Sequence, residues 1–65
     1  MKIEVNGEVI EVSARTLAEV LDELGYRDAK VATALNETFV AETARATLEL
    51  SDGDRLEVVA PRQGG

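Results

Sequence analysis

The sequence predicts an α+β domain in which one main helix packs on one face of a sheet. Three observations carry that expectation. Alternating apolar residues flank Asn6-Gly7, which marks a β-hairpin. A capping box at Thr16 precedes apolar residues at helical spacing. Alternation then returns after Ser51-Asp52-Gly53-Asp54, a turn sequence. The 65 residues suffice for one domain, and a chain this small buries only about 60% of its unfolded surface. Hydrophobic residues (45%) and charged residues (31%) are interleaved, which is globular rather than disordered composition.

In the hairpin, Ile3 and Val5 alternate with Lys2 and Glu4, and Glu8 to Val12 forms the return strand. Asn and Gly tolerate the positive φ that a type I′ turn needs, and a two-residue turn fixes the register. Val5 is expected opposite Glu8, Ile3 opposite Ile10 and Met1 opposite Val12, with Lys2 facing Glu11 as a weak exposed pair on the other face.

Thr16-Leu17-Ala18-Glu19 has capping-box spacing, so a helix begins there. Leu17, Val20, Leu21 and Leu24 form one apolar stripe for the sheet, Glu19, Asp22 and Glu23 turn to water, and Gly25 supplies the stop. Tyr26 to Lys30 is a polar connection. Val31 to Leu35 is expected as a strand, Asn36-Glu37-Thr38 as a turn, and Phe39-Val40 as the next strand. Ala41 to Thr47 mixes helix formers with threonines and is expected to make an irregular excursion before Leu48-Glu49-Leu50.

The Ser51 to Asp54 turn places Gly53 where positive φ is free and leaves two carboxylates to accept backbone N–H groups. Asp52 and Asp54 alone would hold a metal weakly, so no metal site is assigned. The final strand, Arg55 to Ala60, puts Leu56, Val58 and Ala60 on the core face and Glu57 and Val59 on the other. Pro61 ends pairing because it lacks an N–H. Val59, like Val9, faces away from the core, so a small apolar patch is expected at the root of the tail.

Composition narrows the function. Cysteine and histidine are absent, which reduces the usual nucleophiles, general bases and zinc ligands to carboxylates, hydroxyls and two lysines and leaves no side chain to carry a persulfide. No constellation of base, nucleophile and oxyanion donors is visible, so the chain reads as something acted upon. A net charge of -6 would repel nucleic acid and anionic membrane and favours a basic protein partner. No signal peptide or membrane span is expected, and the default location is cytoplasmic.

The sequence closes on Pro61-Arg62-Gln63-Gly64-Gly65. Neither glycine has a Cβ, so a carboxylate there could be threaded into another enzyme's active site. Five extended residues reach about 17 Å at roughly 3.4 Å each. Residues 1–60 are therefore expected to form the folded domain and 61–65 a flexible tail. Two terminal glycines also arise by chance about one time in 200, and an inert tail or a cloning remnant gives the same residues.

Hairpin, capped helix, two short strands, Asp-Gly-Asp turn, last strand and Gly-Gly end together resemble the ubiquitin-like β-grasp fold, in which the sheet is mixed. Met1-Lys2-Ile3-Glu4-Val5-Asn6-Gly7, Thr16-Leu17-Ala18-Glu19-Val20-Leu21, Val31-Ala32-Thr33-Ala34-Leu35-Asn36, Leu50-Ser51-Asp52-Gly53-Asp54 and Gly64-Gly65 are similar to the ThiS family of thiamine-pathway sulfur carriers. Their order, spacing and length carry the resemblance. Many members of that family have Asn-Gly where this chain has Asn36-Glu37, and an aromatic where it has Ala44. Both departures concern local turns and packing.

The resemblance implies that the chain is a substrate and binds no cofactor of its own. A ThiF-like, E1-type activating enzyme would use ATP and Mg2+ to adenylate the Gly65 carboxylate, sulfur ultimately from a cysteine desulfurase would convert it to a thiocarboxylate, and thiazole synthase would consume the sulfur. Gly64 would keep the approach narrow, and Val59, Arg62 and Gln63 are candidate partner contacts. Rival readings are a MoaD-like sulfur carrier for molybdopterin synthesis, a ubiquitin-like modifier joined to a lysine, and a noncovalent ubiquitin-like interaction domain with an inert tail.

Overall fold

The amino-terminal hairpin forms as its alternation requires. β1 (Lys2–Val5) and β2 (Glu8–Glu11) pair antiparallel with Val5 opposite Glu8, Ile3 opposite Ile10 and Lys2 opposite Glu11. Asn6 and Gly7 take φ of 51° and 87°, the left-handed pair of a type I′ turn. The Met1 carbonyl accepts from the Val12 N–H at 2.9 Å, extending the pairing to the expected last rung. Glu11 Oε2 lies 3.0 Å from the amino-terminal ammonium. The ammonium, which also donates to the Val12 carbonyl at 2.9 Å, makes this ion pair, while Lys2 lies opposite Glu11 in the register as expected. The chain is described here by a computed structural model over residues 1–60.

Thr16 caps α1 (Leu17–Glu23), and both arms of the capping box are present. The Glu19 N–H donates to Thr16 Oγ1 and the Thr16 N–H donates to Glu19 Oε1, each at 3.2 Å. Leu17, Val20 and Leu21 are buried and Leu24 is half-buried, so the stripe faces the sheet. Gly25, at φ 91°, ends the helix, and the Tyr26 N–H donates back to the Leu21 carbonyl at 2.8 Å. Glu23 does more than face water: its carboxylate accepts the N–H groups of Ser13 and Ala14 at 3.0 Å and fixes the approach to the helix.

β3 (Ala32–Leu35) and β4 (Thr38–Val40) form the second hairpin, with Leu35 opposite Thr38 and Ala34 opposite Phe39. Val31 precedes the strand, and Thr38 belongs to β4 and not to the turn. The reason is that Asn36 and Glu37, at φ 50° and 70°, complete a two-residue turn without a third member. The expected excursion contains one 3₁₀ turn, Glu42–Ala44. Arg45 ties it to the sheet: Nη2 donates to the Val31 carbonyl (2.7 Å) and Nε to the hydroxyl of buried Thr33 (3.2 Å). The Thr33 hydroxyl donates onward to the Val40 carbonyl at 3.0 Å, so this buried polar group is satisfied.

β5 (Arg55–Val59) runs up the middle of a five-stranded sheet of order β2-β1-β5-β3-β4, parallel to β1 and antiparallel to β3. The sheet is mixed, as the β-grasp resemblance implies. Ile3, Val12, Leu17, Val20, Leu21, Val40, Leu50, Leu56 and Val58 form the core between sheet and helix. Ala60 is exposed and lies outside β5, correcting its expected place on the core face, because pairing with β3 ends at Val59 opposite Ala32. The Ser51 N–H donates to Asp54 Oδ2 and the Lys2 N–H to Asp52 Oδ1, both at 2.7 Å, so these carboxylates organise the turn. Among the described residues no cluster of three or more metal-ligating side chains occurs, and no helix is long and apolar enough to cross a membrane.

Candidate functional site

The candidate site is the end of β5 and the sheet face beside it. Alternation along β5 buries Leu56 and Val58 and turns Arg55, Glu57 and Val59 outward, away from the helix. Register carries the same face across the sheet. Ala32 lies opposite Val59, Ala34 opposite Glu57, and Phe39 opposite Ala34. Val59 is 61% exposed and Phe39 70% exposed, with two alanines as a low floor between them. The result is a shallow apolar strip that begins at the last residue of β5.

Val59 therefore sits where its alternation predicts. Phe39 is the residue that sequence reasoning missed. Its strand was expected, but a three-residue segment ending in a buried valine shows which side is outward only once its register with β3 is known. The third exposed large apolar side chain, Val9, lies on β2, two strands from β5, and is not part of the strip.

Charge borders the strip. Glu57 lies beside Ala34, and Arg55 beside Glu4 on β1. Arg55 also approaches Glu37 at 3.5 Å, an exposed pair of small energetic weight. An apolar centre with a charged border suits a partner that buries aliphatic and aromatic surface.

The other expected site residues, Arg62, Gln63, Gly64 and Gly65, lie outside the described residues, as does Pro61. What the described residues fix is their origin. The Val58 N–H donates to Asn6 Oδ1 at 2.9 Å, Asn6 Nδ2–H donates to the Val58 carbonyl at 3.1 Å, and Val59 pairs with Ala32 on the other side. The backbone is thus held on both edges to within seven residues of Gly65. This arrangement fixes the end of β5 beside an apolar surface.

Comparison with known proteins gives a consistent result. A model described as the ThiS family matches residues 3–65. A sulfur carrier protein ThiS from Thermus thermophilus is 43% identical over 61 residues, covering 94% of this chain and 95% of that protein. A thiazole synthase from Paramagnetospirillum magneticum is 41% identical over 66 residues, and the match takes in the whole of this chain but 20% of the synthase. Among solved structures, a crystal structure of the thiamine biosynthesis protein ThiS from Geobacter metallireducens has a TM-score of 0.84 at 28% identity, with both chains fully covered. A solution structure of a thiamine biosynthesis protein from the same organism has a TM-score of 0.80 at 26% identity, covering 100% of this chain and 88% of that one.

Proposed function

The chain belongs to the ThiS family, and from that membership we propose that it is a sulfur carrier for thiazole formation, its Gly65 carboxylate becoming a thiocarboxylate. The observation that supports this most directly is that the family match runs through Gly64 and Gly65. The similarity of the whole chain to a stretch of a thiazole synthase favours that enzyme as the consumer of the sulfur.

The chemistry follows from the weakness of a carboxylate as an electrophile. A ThiF-like activating enzyme, using ATP and Mg2+, joins the Gly65 carboxylate to AMP with release of pyrophosphate. The terminal sulfur of a persulfide, supplied ultimately by a cysteine desulfurase, then attacks the acyl carbon and expels AMP, and a thiol reductant cleaves the S–S bond of the resulting acyl disulfide to leave the thiocarboxylate. The thiocarboxylate is a better nucleophile than the original acid. This chain is the substrate throughout, a role that fits a sequence without cysteine or histidine. The missing Cβ at Gly64 lets the activating enzyme close around the backbone, and Val59, Arg62 and Gln63 contact the partner as the segment enters. Residues 61–65 act as the arm that is modified in this reading, residues 1–60 as the β-grasp body that is gripped, and the reactions take place in the cytoplasm.

The test is intact mass after incubation with the activating enzyme, ATP, Mg2+ and a sulfur source. The full chain should gain the mass of one oxygen exchanged for sulfur, located on Gly65. A chain lacking Gly65 should not, and Gly64→Val should keep its fold while adenylation is lost. If the full chain is unchanged under conditions that convert a known carrier, the proposal is wrong.

A further inference from the structure

Parallel pairing between β1 and β5 stops early. The ladder covers Glu4 with Arg55 and Val5 with Leu56, and the Asn6 N–H adds one bond to the Leu56 carbonyl at 2.9 Å. In an uninterrupted parallel ladder the carbonyl of residue 6 would accept the next donor on β5, the Val58 N–H. Asn6 has already entered the turn at φ 51°, so the main chain leaves the ladder there. Its side chain fills the role: Oδ1 takes the Val58 N–H at 2.9 Å, and Nδ2–H reaches the Val58 carbonyl at 3.1 Å. One primary amide thus replaces both groups of the missing strand, across 52 residues of sequence.

We propose that Asn6 is a positioning residue, whose amide extends the pinned part of β5 to Val58 and so fixes the point from which the carboxyl-terminal segment enters the activating enzyme. The inference rests on the sulfur-carrier reading. Without the amide, β5 would be paired on its β1 edge only as far as Leu56, and Val58 and Val59 would be held from the β3 side alone. Residues freed at the root must be ordered again each time the segment is threaded, and that cost falls on binding and not on the adenylation step.

The experiment compares the wild type with Asn6→Gly and Asn6→Asp. Glycine adopts the turn's positive φ without strain and removes both bonds, whereas aspartate keeps an acceptor for the Val58 N–H and loses the donor. Two quantities are read: amide hydrogen exchange of Val58 against Leu56, and KM and kcat for pyrophosphate release by the activating enzyme at saturating ATP. For Asn6→Gly, Val58 exchange should accelerate while Leu56 stays protected, and KM for the carrier should rise about tenfold, the equivalent of ordering roughly one residue, with kcat within about twofold. Asn6→Asp should fall between. Unchanged KM with faster Val58 exchange overturns the proposal, as does a uniform rise in exchange through the core, which would make Asn6 a fold residue only. If the wild type itself releases no pyrophosphate, the carrier reading fails, and the exchange data still decide whether the amide pins Val58.

Discussion

The two hairpins flank β5 from opposite sides and turn in the same left-handed geometry, yet their second turn residues differ. Asn6-Gly7 takes φ of 51° and 87°, and Asn36-Glu37 takes 50° and 70°. In both, the asparagine side chain bonds the backbone of β5: Asn6 at Val58, and Asn36 through Oδ1 accepting the Arg55 N–H at 2.9 Å. The shared asparagine therefore serves both the turn and the central strand. The difference lies at the next position, where glycine meets the demand of the twist freely and glutamate meets it against the repulsion of its own Cβ. Strand pairing sets the turn geometry, and the residue present complies at whatever cost it carries.

The largest expected effect comes from giving the first turn the residue of the second. An added Cβ at Gly7 would meet no atom within 4 Å, so in Gly7→Glu the left-handed backbone, and not a steric clash at Cβ, carries the main cost. It should destabilise the domain by about 1–2 kcal/mol, seen as a thermal midpoint lower by about 4–8 °C per kcal/mol. A midpoint unchanged within error would show that this turn relaxes into another type, and the equivalence of the two hairpins would fail.

The reverse substitution should act in the opposite direction and less strongly. Glu37→Gly relieves the left-handed strain but frees the unfolded chain and gives up the 3.5 Å approach to Arg55, leaving a net gain of up to about 1 kcal/mol. The double variant should depart from the sum of the single ones, because Gly7 and Glu37 line one cavity with Arg55 and the side chain added at Gly7 competes with Glu37 for that guanidinium. Loss of stability in Glu37→Gly would mean that the Arg55 pair outweighs the strain. The measurement is urea unfolding of all four proteins.

Both turns were legible in sequence to different degrees, for a physical reason. Asn6-Gly7 announces a type I′ turn because glycine has few other reasons to sit there, and the first hairpin's register follows from it. Asn36-Glu37 carries half of that signal, which is why Thr38 reads as a third turn residue although it pairs with Leu35. The helix start was fully legible, since Thr16 and Glu19 lie three residues apart and cap each other. Bonds joining distant stretches were not: Asn6 to Val58, Arg45 to Val31 and Glu23 to Ser13 depend on which strands become neighbours. At the site, the outward position of Val59 follows from alternation within one strand, whereas the strip also needs Phe39, whose side is set by pairing with β3. Arg62, Gln63, Gly64 and Gly65 lie outside the described residues, and the roles proposed for them rest on the family.

Glu37 gains a reference in Glu19, a glutamate that its backbone uses. The Thr16 N–H, then the Arg15 N–H and the Thr16 hydroxyl, hold the Glu19 carboxyl below the usual carboxylate range, and the charge of Arg15 adds to them. A carboxyl with a lowered folded pKa contributes stability that is complete above its unfolded pKa and is lost as pH falls through the folded one. Glu19→Gln keeps a side chain able to accept in the capping box and removes only the charge. The stability difference between wild type and Glu19→Gln should therefore be constant near neutral pH and shrink as pH drops through and below the ordinary carboxylate range. Because Glu19 is exposed, the effect should be the smallest of those considered, and weaker still in high salt. A difference that does not change with pH would mean that the cap works through hydrogen-bond geometry alone, and that glutamate and glutamine are equivalent there. Paired with the Glu37→Gly result, it separates the value of a glutamate's charge at a helix start from the cost of a glutamate's backbone at a turn.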